Sequence, residues 1–156
     1  MANPETVTPM AQIGTVPRDD NASPVPTLGL QQTKAITFVA GTTGATGTTN
    51  LFTVTGTVAV NVFGICSADL TGSGTIEVGV SGSTACICNQ QSATAIDNHE
   101  VWHDAVLAIG GQVTGHMHVI DQSVIQTIAT NTVTAGTITY YCNWVPLSQG
   151  ATVVAA

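Results

Sequence analysis

Apolar residues recur at every second position in several segments of this chain, and this alternation constrains the fold more than any other feature. Three segments show it: LFTVTGTVAVNVFGIC (51–66), TIEVGVS (75–81) and GTITYYCNW (136–144). The apolar residues of one parity are Val58, Val60, Val62 and Cys66, then Ile76, Val78 and Val80, then Ile138, Tyr140, Cys142 and Trp144. A period of two places such residues on one face of a strand. With turn sequences such as DLTGSG, SGS and TAG between them, the segments predict an all-β fold, an antiparallel β-sandwich or jelly roll.

The composition supports the same prediction. Charged residues make up 7% of the chain, whereas ordinary soluble domains carry about 25%. The polar content is mostly Thr, Ser, Asn, Gln and Gly, and the apolar content is mostly Val, Ile and Ala. Thr and Val favour pleated strands, and the scarcity of Lys, Glu and Leu-rich runs disfavours helices.

The first 33 residues differ from the rest, since five of the six prolines fall within them and no period of 2 or 3.6 is sustained. Because proline fixes φ and removes a backbone donor, we predict an extended proline-rich arm over 1–33. A β-sandwich domain over 34–148 and a C-terminal tail over 149–156 follow. The arm is either a disordered terminus or a segment that becomes ordered on a partner, and the tail is either frayed or an extra edge strand. The prolines of the arm are Pro4, Pro9, Pro17, Pro24 and Pro26.

The charge balance excludes several classes of partner. Only Arg18 and Lys34 are cationic, against nine carboxylates, and the net charge is −7. Binding to nucleic acid or to an anionic membrane needs clustered basic residues, so we predict neither partner. No signal peptide and no long apolar span is visible, which indicates synthesis in a cytoplasm. In that compartment the cysteines are expected to be reduced thiols in the sheet core: Cys66, Cys86, Cys88 and Cys142.

HEVWH (99–103) matches the H-E-x-x-H pattern of zinc metalloproteases. Two histidines four residues apart reach one metal ion from a helix, whereas on a strand they are separated by about 13 Å. The zinc interpretation therefore requires a helix over residues 98–109. A capping side chain before this segment and Gly110-Gly111 after it favour a helix, but Val101 and Trp102 favour a strand. The sequence leaves both open.

The remaining ligands argue against a protease. A thermolysin-like site takes a downstream glutamate, and no glutamate follows Glu100. A metzincin needs a histidine where Ile109 stands, and only His116, His118 and Asp121 remain, on a separate predicted strand. We therefore predict that HEVWH is a chance match and that the chain is not an enzyme.

The segment GHMHV (115–119) places His116 and His118 on one face of a predicted strand, with Met117 opposite. The pattern resembles the H-x-H motifs of trimeric phage tail fibres, in which histidines of three chains bind one metal ion on the symmetry axis. The alternative is a pair of solvent-facing or hydrogen-bonded histidines. We predict no metal ion and no other cofactor, with His116 and His118 as the candidates if an ion does bind.

Three stretches resemble small β-rich virion structural proteins of tailed bacteriophages: LFTVTGTVAVNVFGICSADLTGSGTIEVGVSGSTA (51–85), NHEVWHDA (98–105) and ITYYCNWVPLS (138–148). The resemblance covers much of residues 50–148 and leaves the arm uncovered. In that family the second stretch reads more like NEIWHDA, with no histidine before the glutamate, which makes His99 peculiar to this chain. The resemblance implies no enzymatic activity.

The resemblance implies a virion protein assembled in the host cytoplasm, and we expect a capsid decoration (cement) protein. Its arm, with the prolines named above, would contact the major capsid protein, and a homotrimer would engage three sites at once. One alternative is a head- or tail-fibre module that binds host surface glycans through loops at 41–49, 67–75 and 90–98. An exposed Trp102 would support that alternative, whereas a buried one would favour packing. A metal-dependent hydrolase is the third hypothesis.

Overall fold

Strands dominate the described part of the protein. A computed structural model describes residues 30–103 and 117–156, which contain ten strands and one short 3-10 helix, Ala93–Ala95. The strands are β1 Leu30–Thr37, β2 Gly47–Thr55, β3 Val58–Gly72, β4 Thr75–Val80, β5 Ser83–Ser92, β6 Val101–Trp102, β7 His118–Ile120, β8 Val124–Ala129, β9 Val133–Pro146 and β10 Thr152–Ala155. No described helix is long and apolar enough to span a membrane.

The strands form two sheets with a nested order of pairing. The first sheet runs β1-β9-β3-β6, with β7 also on β3, and the second runs β10-β2-β8-β4-β5. β1 thus lies beside β9, β2 beside β8, β3 beside β6 and β4 beside β5, as in an antiparallel ribbon folded over on itself. This order of eight strands is that of a jelly roll. The predicted all-β antiparallel fold is confirmed.

The core lies between the two sheets, and its residues occupy the alternate positions that the sequence predicts to share one face of each strand. In β3 the buried residues include Val58, Val60, Val62 and Cys66, and in β9 they include Ile138, Tyr140, Cys142 and Trp144. β3 and β9 span 15 and 14 residues and pair over most of their length. Each apolar side chain buried in this way contributes about 1.5–3 kcal/mol. The long pairing of β3 with β9 therefore forms the centre of the first sheet.

Both ends of the predicted β-domain extend beyond their expected limits. β1 begins at Leu30, before the predicted start at residue 34, and the tail contributes β10 as an edge strand on β2. The Lys34 ammonium group donates a hydrogen bond to the carbonyl oxygen of Ala156. Because β1 and β10 are edge strands of different sheets, this contact links the two sheets along one open side of the sandwich.

Two of the loops predicted for a glycan site are shorter than expected. β3 continues to Gly72, so residues 73–74 alone connect it to β4. β5 continues to Ser92 and the 3-10 helix follows directly. Of the three predicted loops, the one at 41–49 retains the longest turn, which ends where β2 begins at Gly47.

Candidate functional site

The HEVWH segment folds as a turn followed by a strand. His99 has a φ of 70°, in the left-handed region, and its N–H donates to the carbonyl oxygen of Cys66 (N···O 2.9 Å). Val101 and Trp102 then form β6, which pairs with β3. The described part of the 98–109 segment is therefore not helical, and its later residues lie outside the described ranges.

Glu100, which would be the general base of a metalloprotease, holds this turn together. Its carboxylate accepts the N–H of Asp97 (3.0 Å), and the Asp69 carboxylate accepts the N–H of Asn98 (2.7 Å). Among the described residues, no three His, Cys, Asp or Glu side chains are grouped to hold a metal ion. The segment thus lacks the helical pair of histidines that the protease motif requires.

Trp102 packs within the β-domain. Its side chain is 8% exposed, and its ring contacts Tyr140 edge-on, with centroids 6.2 Å apart and an interplanar angle of 61°. The small exposed part of Trp102 lines a surface depression together with Gln91, Glu100 and His103. Because stacking on a sugar ring needs an exposed aromatic face, the burial of Trp102 favours packing over the glycan-binding alternative.

The other predicted site residues are only partly within the described chain. His118 is half-buried on β7 and pairs with Val60, so it lies on the side of the sheet that faces the core. His116 lies outside the described ranges. The arm residues Pro4, Pro9, Pro17, Pro24 and Pro26 also lie outside them.

The four cysteines are thiols that belong to the sheets. Cys66, Cys88 and Cys142 are buried, and Cys86 is half-buried. Burial raises the pKa of the Cys142 thiol to about 12 and also raises the pKa of Cys66. A thiol with a raised pKa is protonated at neutral pH and is a poor nucleophile and a poor metal ligand. At Cys66 and Cys142 these thiols act as small core residues.

One part of the outer surface of the first sheet, formed by residues 31–35, 59–65, 101, 119 and 139–145, carries no charged side chain at its outward positions, and we name this surface the neutral face. Its residues alternate along each strand with those that face the core, and Ala59 is the one member of the set that is itself buried, at 9% exposure. They are Gln31, Thr33 and Ala35 of β1, Ala59, Asn61, Phe63 and Ile65 of β3, Thr139, Tyr141, Asn143 and Val145 of β9, Val101 of β6 and Val119 of β7. The sequence analysis considered the residues of these strands that face inward and did not single out those that face outward. The lack of charge at the outward positions can be read from the same segments.

Cross-strand neighbours divide the neutral face into rows. Phe63 lies opposite Tyr141, and their rings stack with centroids 5.2 Å apart and planes 8° from parallel. An aliphatic row joins Val119, Ala59 and Val145 across three strands.

A third row carries side-chain amides. Asn61 lies opposite Asn143, and Gln31 Nε2 donates to Asn143 Oδ1 at 2.9 Å. The neutral face therefore presents aromatic, aliphatic and amide rows side by side.

Carboxylates gather at one end of the first sheet, beyond the neutral face. The Asp69 carboxylate accepts the N–H of Asn98 and the Glu100 carboxylate accepts the N–H of Asp97, so Asp69, Asp97 and Glu100 meet at the turn before β6. Burial raises the pKa of the Cys66 thiol, and these three carboxylates add to that effect. Asp69 follows the irregularity in the β3 ladder between Cys66 and Ala68. The sheet is thus divided into an uncharged surface and an acidic end.

Comparisons with protein-family models, with curated proteins and with solved structures found no match to this chain.

Proposed function

We propose that this chain is a structural, non-catalytic protein of a tailed-phage virion, a capsid decoration (cement) protein that binds the major capsid protein in the assembled particle. The resemblance of residues 51–85, 98–105 and 138–148 to virion proteins supports the proposal. The jelly-roll sandwich supports it too, because a rigid two-sheet body suits a mechanical role.

The observation that carries the proposal is the position of β1. The proline-rich segment joins the β-domain directly at β1, which is an edge strand of the first sheet. The extended arm that the sequence predicts for this segment would bind the sheet edges and grooves of a partner through main-chain hydrogen bonds, without basic side chains.

Copies of the chain would act together on the capsid. In a homotrimer, three arms engage three equivalent capsid sites, so modest single-arm affinities combine into a tight attachment. The net charge of −7 keeps decorated particles apart in solution.

A truncated chain tests the arm. Since β1 begins at Leu30, deletion of residues 1–29 removes the five prolines of the arm and leaves the first sheet intact. Full-length and truncated chains are mixed with capsids that lack the protein, taken from the phage that encodes it, and binding is measured by co-sedimentation. We expect at least about a tenfold loss of affinity, equal to about 1.4 kcal/mol.

Two controls define the result. Circular dichroism must show the same strand content in both chains. A second variant, with five alanines in place of the arm prolines, keeps the length of the arm but removes the stiffness that proline gives to its backbone. Equal capsid binding by the full-length and truncated chains would overturn the proposed role of the arm.

A further inference from the structure

We propose that the neutral face is the surface through which copies of this chain pack against one another. The inference goes beyond the proposed function, because a face that packs on the same face of a second copy forms a two-fold pair and not a homotrimer. It is tested on the purified chain without capsids, so its failure and the failure of capsid binding are distinguishable.

The distribution of charge identifies a second copy as the occupant. At a net charge of −7, two copies repel each other. Close contact is therefore favoured only where both copies present surface without carboxylates. The neutral face meets this condition, whereas the acidic end with Asp69, Asp97 and Glu100 does not. A basic partner would instead be drawn to the acidic end.

The side chains of the neutral face have the composition of an interface core. Aromatic residues are enriched and charged residues depleted at the centres of protein interfaces. Val119 is 66% exposed and Val145 is 40% exposed, and both lie in the aliphatic row, which the amide row separates from the stacked pair Phe63–Tyr141. Contact with a second copy would remove these apolar surfaces from water, which favours association.

The amide row makes the face complementary to itself. A side-chain amide has both donors and an acceptor, so one amide row satisfies another. Gln31 and Asn143 already share one hydrogen bond within the chain, which fixes their orientation. The outer side of the second sheet differs, because Glu77 of β4 alternates there with the core residues Ile76 and Val78. Glu77 is 8% exposed, and its carboxylate accepts a hydrogen bond from Gln90 Nε2.

Charged substitutions with a matched control test the inference. Val145→Glu places a carboxylate in the aliphatic row, and Val119→Glu does so at a more exposed position where folding is disturbed least. Val154→Glu changes the same residue type at 51% exposure on β10 of the other sheet. Sedimentation equilibrium then compares all three with the unmodified 15.8 kDa chain.

We expect the unmodified chain and Val154→Glu to sediment as oligomers. We expect Val145→Glu and Val119→Glu to associate at least about tenfold more weakly, since the interface would bury a carboxylate without a partner of opposite charge. Added salt should strengthen association, because it screens the repulsion between acidic copies and breaks no ion pair in the face.

Two outcomes overturn the inference. The first is an unmodified chain that is monomeric at every concentration reached. The second is equal weakening by Val154→Glu and Val145→Glu in folded proteins.

Discussion

Tyr140 and Gln126 connect the two sheets through a hydrogen bond in the centre of the core. The Tyr140 hydroxyl on β9 donates to Gln126 Oε1 on β8 at 2.7 Å, and both side chains are fully buried. Within the described chain, Gln126 Nε2 has no hydrogen-bond partner. The bond therefore satisfies the acceptor half of a buried amide and fixes one sheet relative to the other.

Tyr140→Phe is expected to lower the free energy of unfolding by about 1–3 kcal/mol, because it leaves Gln126 Oε1 buried without a donor. Adding Gln126→Met removes the orphaned amide and should recover most of the loss. Urea unfolding of the two single variants and the double variant gives the coupling energy. A Tyr140→Phe protein as stable as the unmodified one would show that the bond makes no net contribution.

Trp102→Ala is expected to cost about 3–5 kcal/mol of stability, since it empties a packed site beside Tyr140. Val101→Ala is the matched control on the same strand. Val101 is 53% exposed, so its substitution should stay within about 0.5 kcal/mol. Thermal unfolding measures both. Retained stability in Trp102→Ala, together with lost binding to a glycan array, would favour the fibre-module alternative.

The residues of β3 and β9 that face the core are predictable from sequence, because a buried strand face excludes charged side chains at every second position. Val58, Val60, Ile138 and Tyr140 were all assigned to the core on that basis, and all are buried. Periodicity is a local property, and it carries no information on which strands pair. The jelly-roll order depends on contacts between segments far apart in the chain, such as β1 with β9.

The turn before β6 is a second feature that the sequence alone does not predict. A histidine and a glutamate at 99 and 100 fit a helical zinc motif, and the sequence left helix and strand open. The structure settles the described part through non-local contacts: the His99 N–H binds Cys66 O, and Asp69 accepts the N–H of Asn98. These partners are about 30 residues away along the chain, beyond the reach of a local pattern.

Stability should fall at alkaline pH because of buried acids that resist ionisation. The pKa of Cys142 is raised by burial from 9.0 to about 12. Its contribution is fully present below pH 9, where folded and unfolded thiols are both protonated. It is lost as the pH rises from 9 to about 12, by about 1.4 kcal/mol per pH unit, since the unfolded thiol ionises first. Burial also raises the pKa of Tyr140, which adds to the loss above pH 10.

Urea unfolding at several pH values between 9 and 12 measures this slope. Cys142→Ala should reduce it, and Cys86→Ala, at a half-buried thiol, should leave it in place because Cys142 remains. An unchanged slope in Cys142→Ala would assign the alkaline loss to other groups.

His99 occupies a backbone conformation that suits glycine, with a φ of 70°. His99→Val is expected to destabilise by about 1–3 kcal/mol, because a β-branched residue is strained in the left-handed region. His99→Gly removes that strain and should leave stability unchanged or slightly raised. Urea unfolding compares the two, and zinc analysis of His99→Gly adds a second readout. Since the His99 backbone forms a turn and the imidazole shares no helical face with His103, the metal content should not change. If the unmodified protein binds zinc and His99→Gly does not, the hypothesis that HEVWH is a metalloprotease motif would be supported.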